Sequence, residues 1–164
     1  MQHLNPSSSI KLRVYDNSYL TALEQYVLPN EQAIYTTLPI NAMKQCELVK
    51  GAIPIIIVKE DELVGFFVLD HNQSANLYTN NKDAVIFKSF SIDQRHQGLK
   101  YAKSSLRLLT SLTKKLFPTK NEILLTVHHT NNPAINLYKK CGFVDKEIRY
   151  SGEYGEELVL HKEV

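Results

Sequence analysis

Residues 84–102 read AVIFKSFSIDQRHQGLKYA, and within them the hydrophobic pattern changes from that of a strand to that of a helix. The first nine are largely apolar on both alternating faces, as in a central strand covered on both sides. After a tight loop, apolar residues recur at helical spacing over Lys100–Phe117. A loop that opens a helix leaves backbone N–H groups unpaired at the positive helix end. The junction therefore predicts a phosphate site, to which Arg95, Lys100 and Lys103 could add charge.

A second segment, residues 131–143, reads NNPAINLYKKCGF and has the local features of a complete helix. Asn132 is a suitable N-cap, Pro133 fits the first turn, and Gly142 stands where helices commonly end. Those features are structural by themselves. Tyr138 is predicted either to pack in the core or to act as a catalytic phenol, and the local sequence alone favours packing.

Together, the two segments closely resemble two signatures of the GNAT superfamily of N-acetyltransferases. The second segment follows the pattern N-x-x-A-x-x-L-Y-x-x-x-G-F, with matches at Asn131, Ala134, Leu137, Tyr138, Gly142 and Phe143. Residues 97–102 resemble the family's pyrophosphate loop, Q/R-x-x-G-x-G/A, through Gln97 and Ala102. Gly98 falls where many members also carry glycine, whereas Lys100 replaces the usual central glycine.

The resemblance implies a GNAT fold of the α/β (α+β) class, with residues 1–164 forming a single domain. Its central sheet is expected to be mixed but largely antiparallel, with about six to seven strands, about four flanking helices and one splayed strand pair. The hydrophobic pattern itself predicts the element order β-α-α-β-β-β-α-β-α-β-β.

Turn and capping residues predict where several of these elements begin and end. A first helix is expected to be capped by Asp16 or Asn17 and to run to about Leu28. A second helix is predicted over Asn41–Val49, and the following strand is predicted to start at Ile55.

The resemblance also implies that acetyl-coenzyme A (acetyl-CoA) is the co-substrate. Its pantetheine arm is expected between the strands Ala84–Ile92 and Glu122–His128, where one backbone N–H group would act as oxyanion donor. The residues implied in cofactor binding are Phe90, Ser91, Ile92, Gln97, Gly98, Lys100, Tyr101, Ala102, Asn131 and Tyr138. For Asn131, helix initiation is an adequate alternative reason.

The implied reaction is a direct attack of a primary amine on the thioester, without a covalent acyl-enzyme. Tyr138 matches the family's general acid, which gives a proton or hydrogen bond to the departing thiolate. The base stays open among His128, His129, Glu31 and a chain of water molecules. We take His129 as the catalytic candidate beside Tyr138. Strand alternation places it on the opposite face from His128 unless the strand has ended.

Two other functions compete with this interpretation. A side chain at Lys100 could crowd the pyrophosphate, so a catalytically weak or inactive acyl-CoA-binding module is the alternative. A net charge of +2 without a visible basic face predicts no nucleic-acid partner. His96, His128 and His129 lack the spacing of zinc ligands, and the two cysteines form no CxxC pair, so no metal is expected.

Bulk composition predicts a soluble protein. Hydrophobic residues make up 43% and charged residues 22% of the chain, which is ordinary for a globular domain. The longest strongly apolar run, Ile53–Val58, is too short to cross a bilayer, and Met1–Ser9 lacks the apolar stretch of a signal peptide. We therefore expect a cytoplasmic protein with no membrane partner.

The acceptor is expected to be an amine of a small molecule or of a protein, and the sequence does not identify it. Glu24, Glu31 and Glu47 could attract a cationic amine, although solvated helix faces commonly carry glutamates. The N-terminal helices and the polar loop His71–Asp83 are predicted to determine the choice. A homodimer is one of the oligomeric states that the sequence allows.

Overall fold

The computed structural model describes residues 10–72 and 77–164, which form seven strands and five α-helices. The strands are β1 Ile10–Val14, β2 Ala52–Lys59, β3 Glu62–Asp70, β4 Ala84–Ile92, β5 Glu122–His128, β6 Val144–Gly152 and β7 Gly155–Glu163. The helices are α1 Leu20–Glu24, α2 Asn30–Ala33, α3 Pro39–Leu48, α4 Tyr101–Leu116 and α5 Asn132–Lys140. The polar lead-in, residues 1–9, and part of the predicted loop, residues 73–76, lie outside the described residues.

All seven strands belong to one sheet, in the order β1-β2-β3-β4-β5-β7-β6. β4 and β5 are parallel neighbours, and the other pairs are antiparallel. Parallel neighbours need a crossover connection, which α4 supplies between β4 and β5. The predicted mixed, largely antiparallel sheet is therefore confirmed.

Hydrophobic side chains cover both faces of this sheet. On one face, α4 and α5 pack against it through residues such as Leu106 and Ile135. On the other face, α1 and α3 bury Leu23 and Ala42 against β2 and β3. β2 and β3 are therefore buried on both faces.

The first helix ends earlier than the sequence predicts. Asp16 caps a short 3-10 turn, as expected, but α1 stops at Glu24. Beyond it, the chain leaves the helical path, and the Val27 carbonyl accepts a hydrogen bond from the Gln94 N–H at 2.8 Å. Tertiary bonds replace the helical ones here, so the predicted end at Leu28 was wrong. The short α2 that follows was not predicted.

β2 begins at Ala52, earlier than predicted, and contains Pro54. The Pro54 carbonyl accepts from the Tyr15 N–H at 3.0 Å, just beyond the end of β1. In a strand, the N–H and the carbonyl of one residue point to the same side. The N–H that Pro54 lacks would therefore face the residue after the end of β1, where no strand pairing is lost. The predicted start at Ile55 was therefore too late.

Candidate active site

β4 and β5 pair at one end only. Their ladder ends at the pair Ile86–Leu124, and no further β4–β5 pair follows within the described residues. Opposite β3, the register of β4 shifts around Ser89, whose φ is 57°. Such a bulge bends its strand and turns the rest of β4 away from β5. The predicted splayed pair is thus an open wedge, which we call the β4–β5 wedge.

The loop that leads into α4 contains two left-handed backbone positions. Gly98 has φ 79°, and Lys100, the N-cap of α4, has φ 64°. This conformation is free for glycine but costs energy for other residues, which explains why glycine is usual where Lys100 stands.

The first turn of α4 is open to an anion. Lys100 makes no side-chain cap hydrogen bond, and the side chains of Lys100 and Lys103 are exposed. The first N–H groups of a helix have no partner inside it, so here they stay available to a phosphate. Arg95, which the sequence also offered to the phosphate, is instead paired with Asp93 at 2.7 Å.

α5 places Tyr138 beside the wedge. The centroid of its ring lies 6.5 Å from that of Phe90, 6.3 Å from Phe87 and 5.8 Å from Phe143. Burial among apolar groups raises the pKa of Tyr138 above its ordinary value, so the phenol stays protonated at neutral pH. Its hydroxyl has no hydrogen-bond partner among the described residues. Tyr138 therefore packs against the core and still keeps a free donor.

Asn131, not Asn132, is the N-cap of α5, so the predicted cap was wrong by one residue. The Asn131 side chain makes no capping hydrogen bond. Helix initiation therefore does not account for an asparagine here, and its amide is available to a ligand. At the other end of α5, Gly142 has φ 96° and the Phe143 N–H bonds the Tyr138 carbonyl at 3.0 Å, as predicted for a helix end.

Known proteins share both the sequence pattern and the fold of this chain. Residues 20–143 match the acetyltransferase (GNAT) family. The chain belongs to the GNAT family. It is 37% identical over 157 residues to the uncharacterized N-acetyltransferase YbbJ of Bacillus subtilis (strain 168), covering 94% of this chain and 98% of YbbJ.

Two further proteins are similar to this chain over most of their length. The spermine/spermidine N(1)-acetyltransferase of Bacillus subtilis (strain 168) is 28% identical over 144 residues, covering 85% of this chain and 91% of that protein. The structure of AAC(6')-Ib in complex with Parmomycin and acetyl-CoA has a TM-score of 0.71 at 15% identity. That likeness covers 94% of this chain and 93% of the other, and it shows a common fold.

Several residues that the GNAT resemblance assigns to the cofactor have side chains engaged elsewhere. The Ser91 hydroxyl lies 2.8 Å from Tyr26 Oη, in a buried site. Tyr101 is buried in the core, with Lys59 Nζ 5.7 Å from its ring centroid. For Ser91 and Tyr101, only the backbone is available to a cofactor.

Gln97 has a structural partner as well. Its Nε2 donates to the Ile92 carbonyl at 2.9 Å, and its amide pairs with that of Gln32. Gly98 is exposed, and a Cβ added there would meet no atom within 4 Å. Glycine is therefore favoured at this position for its positive φ and not for lack of space.

The two histidines at the end of β5 differ in what their ring nitrogens can do. β5 ends at His128, and the rings of His128 and His129 stack at 4.5 Å. His128 Nε2 lies 2.9 Å from the Tyr154 carbonyl, which only accepts, so Nε2 carries the proton and Nδ1 accepts from the Thr130 N–H at 3.2 Å. His129 Nδ1 lies 2.9 Å from the Glu156 carbonyl and therefore carries its proton. In the neutral ring the lone pair is then on His129 Nε2, which has no hydrogen-bond partner among the described residues.

Sequence reasoning missed Tyr35, which reaches His128 and Thr130. Tyr35 Oη lies 3.0 Å from Thr130 Oγ1, and the Tyr35 ring centroid lies 5.8 Å from that of His128. Nothing local to residue 35 signals this contact, and only positions that vary together across many related sequences could reveal it. Glu31, the other candidate base, is exposed in the first turn of α2 and has no ion pair with a described residue.

The described residues contain neither a membrane-spanning helix nor a metal cluster. Within residues 10–72 and 77–164, no helix has the length and apolarity needed to cross a membrane. In the same ranges, no three His, Cys, Asp or Glu side chains are grouped so that they could hold a metal ion. His96, one of the three histidines weighed as zinc ligands, lies 3.3 Å from Glu62 instead.

Proposed function

We propose that this GNAT protein transfers the acetyl group of acetyl-CoA to a primary amine by direct attack on the thioester. The observation that carries the proposal is the open β4–β5 wedge with the unpartnered Tyr138 hydroxyl beside it. An extended pantetheine arm could complete the backbone hydrogen bonds that β4 lacks, much as an added strand does. The first turn of α4, with Lys100 and Lys103, is the proposed seat of the pyrophosphate.

In the proposed reaction, His129 Nε2 takes a proton from the incoming ammonium group, which frees the nitrogen lone pair. The amine attacks the thioester carbonyl carbon and forms the C–N bond. A backbone N–H group of β4 near Phe90 or Ile92 stabilises the resulting oxyanion. As the C–S bond breaks, the nitrogen gives a second proton to water, and the sulfur receives a hydrogen bond or proton from Tyr138.

The raised pKa of Tyr138 favours a hydrogen bond to the sulfur over full proton transfer. At ordinary pKa values, moving a proton from a phenol to a thiolate is uphill by about 2 kcal/mol. Burial raises the pKa of the phenol and makes full transfer costlier. We therefore assign Tyr138 mainly the role of a hydrogen-bond donor to the departing sulfur, which needs no change in its protonation state.

Polyamines are the first acceptors to test. A relative over most of this chain carries the name spermine/spermidine N(1)-acetyltransferase. The backbone of the β6–β7 hairpin accepts hydrogen bonds from both histidines, and Glu157 lies opposite His128 in the β5–β7 ladder. A carboxylate at this position can attract a cationic amine. The neighbouring Glu156 carboxylate lies 3.7 Å from Arg149 Nε and is therefore already ion-paired. Protein amines, a cytoplasmic location and a homodimer stay predictions of the sequence.

A panel of amines tests the proposal. The purified chain would be incubated with acetyl-CoA and, separately, spermidine, spermine, an aminoglycoside and a peptide with a free N-terminus and a lysine. Free thiol would be followed with a thiol reagent and the acetylated amine by mass spectrometry. We expect thiol release to rise with at least one amine, matched by acetylated product. Binding of acetyl-CoA without product from any amine would favour the acyl-CoA-binding module instead.

A further inference from the structure

Residues 25–32, which run from the end of α1 into α2, are tied to the end of β4. We call them the connector. The Tyr26 hydroxyl lies 2.8 Å from the Ser91 hydroxyl, and both residues are buried. The Gln94 N–H donates to the Val27 carbonyl at 2.8 Å, and the Val27 N–H lies 3.4 Å from Asp93 Oδ2. These bonds join the connector to the strand end just before the loop that opens α4.

A pair of glutamines extends this attachment to the loop itself. Gln32 Nε2 donates to Gln97 Oε1 at 3.3 Å, and Gln97 Nε2 donates back to Gln32 Oε1 at 3.2 Å. Gln97 Nε2 also donates to the Ile92 carbonyl at 2.9 Å. An amide group carries two N–H donors, so Gln97 can bond the strand end and the connector at the same time. The loop, the end of β4 and the connector therefore meet at one side chain.

The connector also leads to residues 128–130 at the end of β5. We call this end the acceptor side of the wedge, because the proposed base His129 lies there. Just after the connector, Tyr35 bonds Thr130 and lies over His128. The connector is bonded to the proposed pyrophosphate loop through Gln32, and Tyr35, three residues later, lies beside His128, the neighbour of the proposed base. Such a segment can transmit order between the two places. A ligand that stabilises one end lowers the entropy that remains to be lost at the other.

We propose that Gln32 and Gln97 are positioning residues that couple the connector to the α4 loop, so that coenzyme A bound at the loop orders the acceptor side of the wedge. The inference rests on the proposed function in placing coenzyme A at the first turn of α4. By reciprocity of binding, an acceptor that orders the connector strengthens coenzyme A binding by the same factor.

Hydrogen–deuterium exchange with coenzyme A as the only ligand tests the coupling without an acceptor. In the unaltered protein, coenzyme A should slow amide exchange in residues 98–103, its proposed site, and in residues 25–32, the connector. We expect exchange in the connector to slow by about fivefold or more, the lower end of common coupling factors. Protection of residues 98–103 alone would overturn the inference and leave the proposed function standing.

Gln32→Met supplies the matched variant, because it keeps the side-chain length and removes the amide. It should keep the coenzyme A protection of residues 98–103 and lose that of residues 25–32. Gln45→Met, an exposed glutamine on α3 with no side-chain hydrogen bond to a described residue, is the control and should behave like the unaltered protein. A purely structural role for Gln32 would speed exchange equally with and without coenzyme A, and that result would refute the coupling. If coenzyme A leaves residues 98–103 unprotected, the cofactor site itself fails, and the inference fails with it.

Discussion

Lys100→Gly changes the one residue of the cofactor loop that departs from the family pattern. Lys100 has φ 64° and ψ 21°, so its backbone is in the left-handed helical region. That conformation costs a residue with a Cβ about 1–2 kcal/mol. Glycine removes this cost but makes the unfolded chain more flexible, at about 0.5–1 kcal/mol. The expected net gain in the free energy of unfolding is about 0.5–1 kcal/mol, or about 1–4 °C in melting temperature for a chain of this length.

Lys100→Gly should change the affinity for coenzyme A less than the loss of a positive charge suggests. The side chain is exposed, and an exposed ion pair contributes up to about 1 kcal/mol. Closer approach of the backbone to the pyrophosphate opposes that loss. We therefore expect the dissociation constant of coenzyme A to change by no more than about tenfold, which corresponds to about 1.4 kcal/mol.

Lys100→Ala is the matched control, because it removes the charge and keeps the Cβ. Without ligand, the melting temperature of Lys100→Gly should be higher than that of the unaltered protein. The melting temperature of Lys100→Ala should be close to that of the unaltered protein. Titration calorimetry with coenzyme A should show weaker binding for Lys100→Ala than for Lys100→Gly, because only glycine lets the backbone approach the pyrophosphate more closely. Equal melting temperatures for both variants would refute the backbone argument. A loss of affinity beyond about a hundredfold would show that the ammonium dominates pyrophosphate binding.

Five further variants test other parts of the site and core. Tyr138→Phe should barely change the melting temperature, because its hydroxyl has no partner to orphan, and should slow acetyl transfer about 10²-fold; undiminished turnover would exclude the acid role. In rate measurements near neutral pH, His129→Gln should slow transfer at least about 10-fold more than His128→Gln, since His129 has the free lone pair, and the reverse order would contradict the assignment. Burial lowers the pKa of His161, so its contribution to stability is complete above the unfolded pKa of about 6.5 and is lost as the pH falls through the lower folded pKa. Urea unfolding at about pH 7 and about pH 5 should show this loss, and His161→Leu should abolish it. Gly65→Ala should lower the free energy of unfolding by about 1–3 kcal/mol, because the added Cβ would lie 2.9 Å from a backbone oxygen of β4; an unchanged urea midpoint would refute this.

The cofactor loop and Tyr138 were easier to predict from the sequence than the residues on the acceptor side of the wedge. Gly98, Lys100 and Tyr138 lie within two short segments, each with its own pattern of helix start and end, so their neighbourhood follows from local structure. The sequence named His129 as the candidate base but could not show how its ring nitrogens differ from those of His128. That difference depends on two carbonyl groups of the β6–β7 hairpin, which local patterns along β5 cannot bring into view.

The sequence by itself determined the order of the main elements, the strand–loop–helix junction at residues 84–102 and the signature helix at residues 131–143. Hydrophobic period, caps and turn residues act within a few positions, so one segment suffices to show them. Only the tertiary structure decided where α1 ends, how the bulge at Ser89 opens the wedge, and that Gln32 meets Gln97. Each of these depends on hydrogen bonds or strand register between residues far apart in sequence, and such bonds form only when the packed sheet brings the segments together.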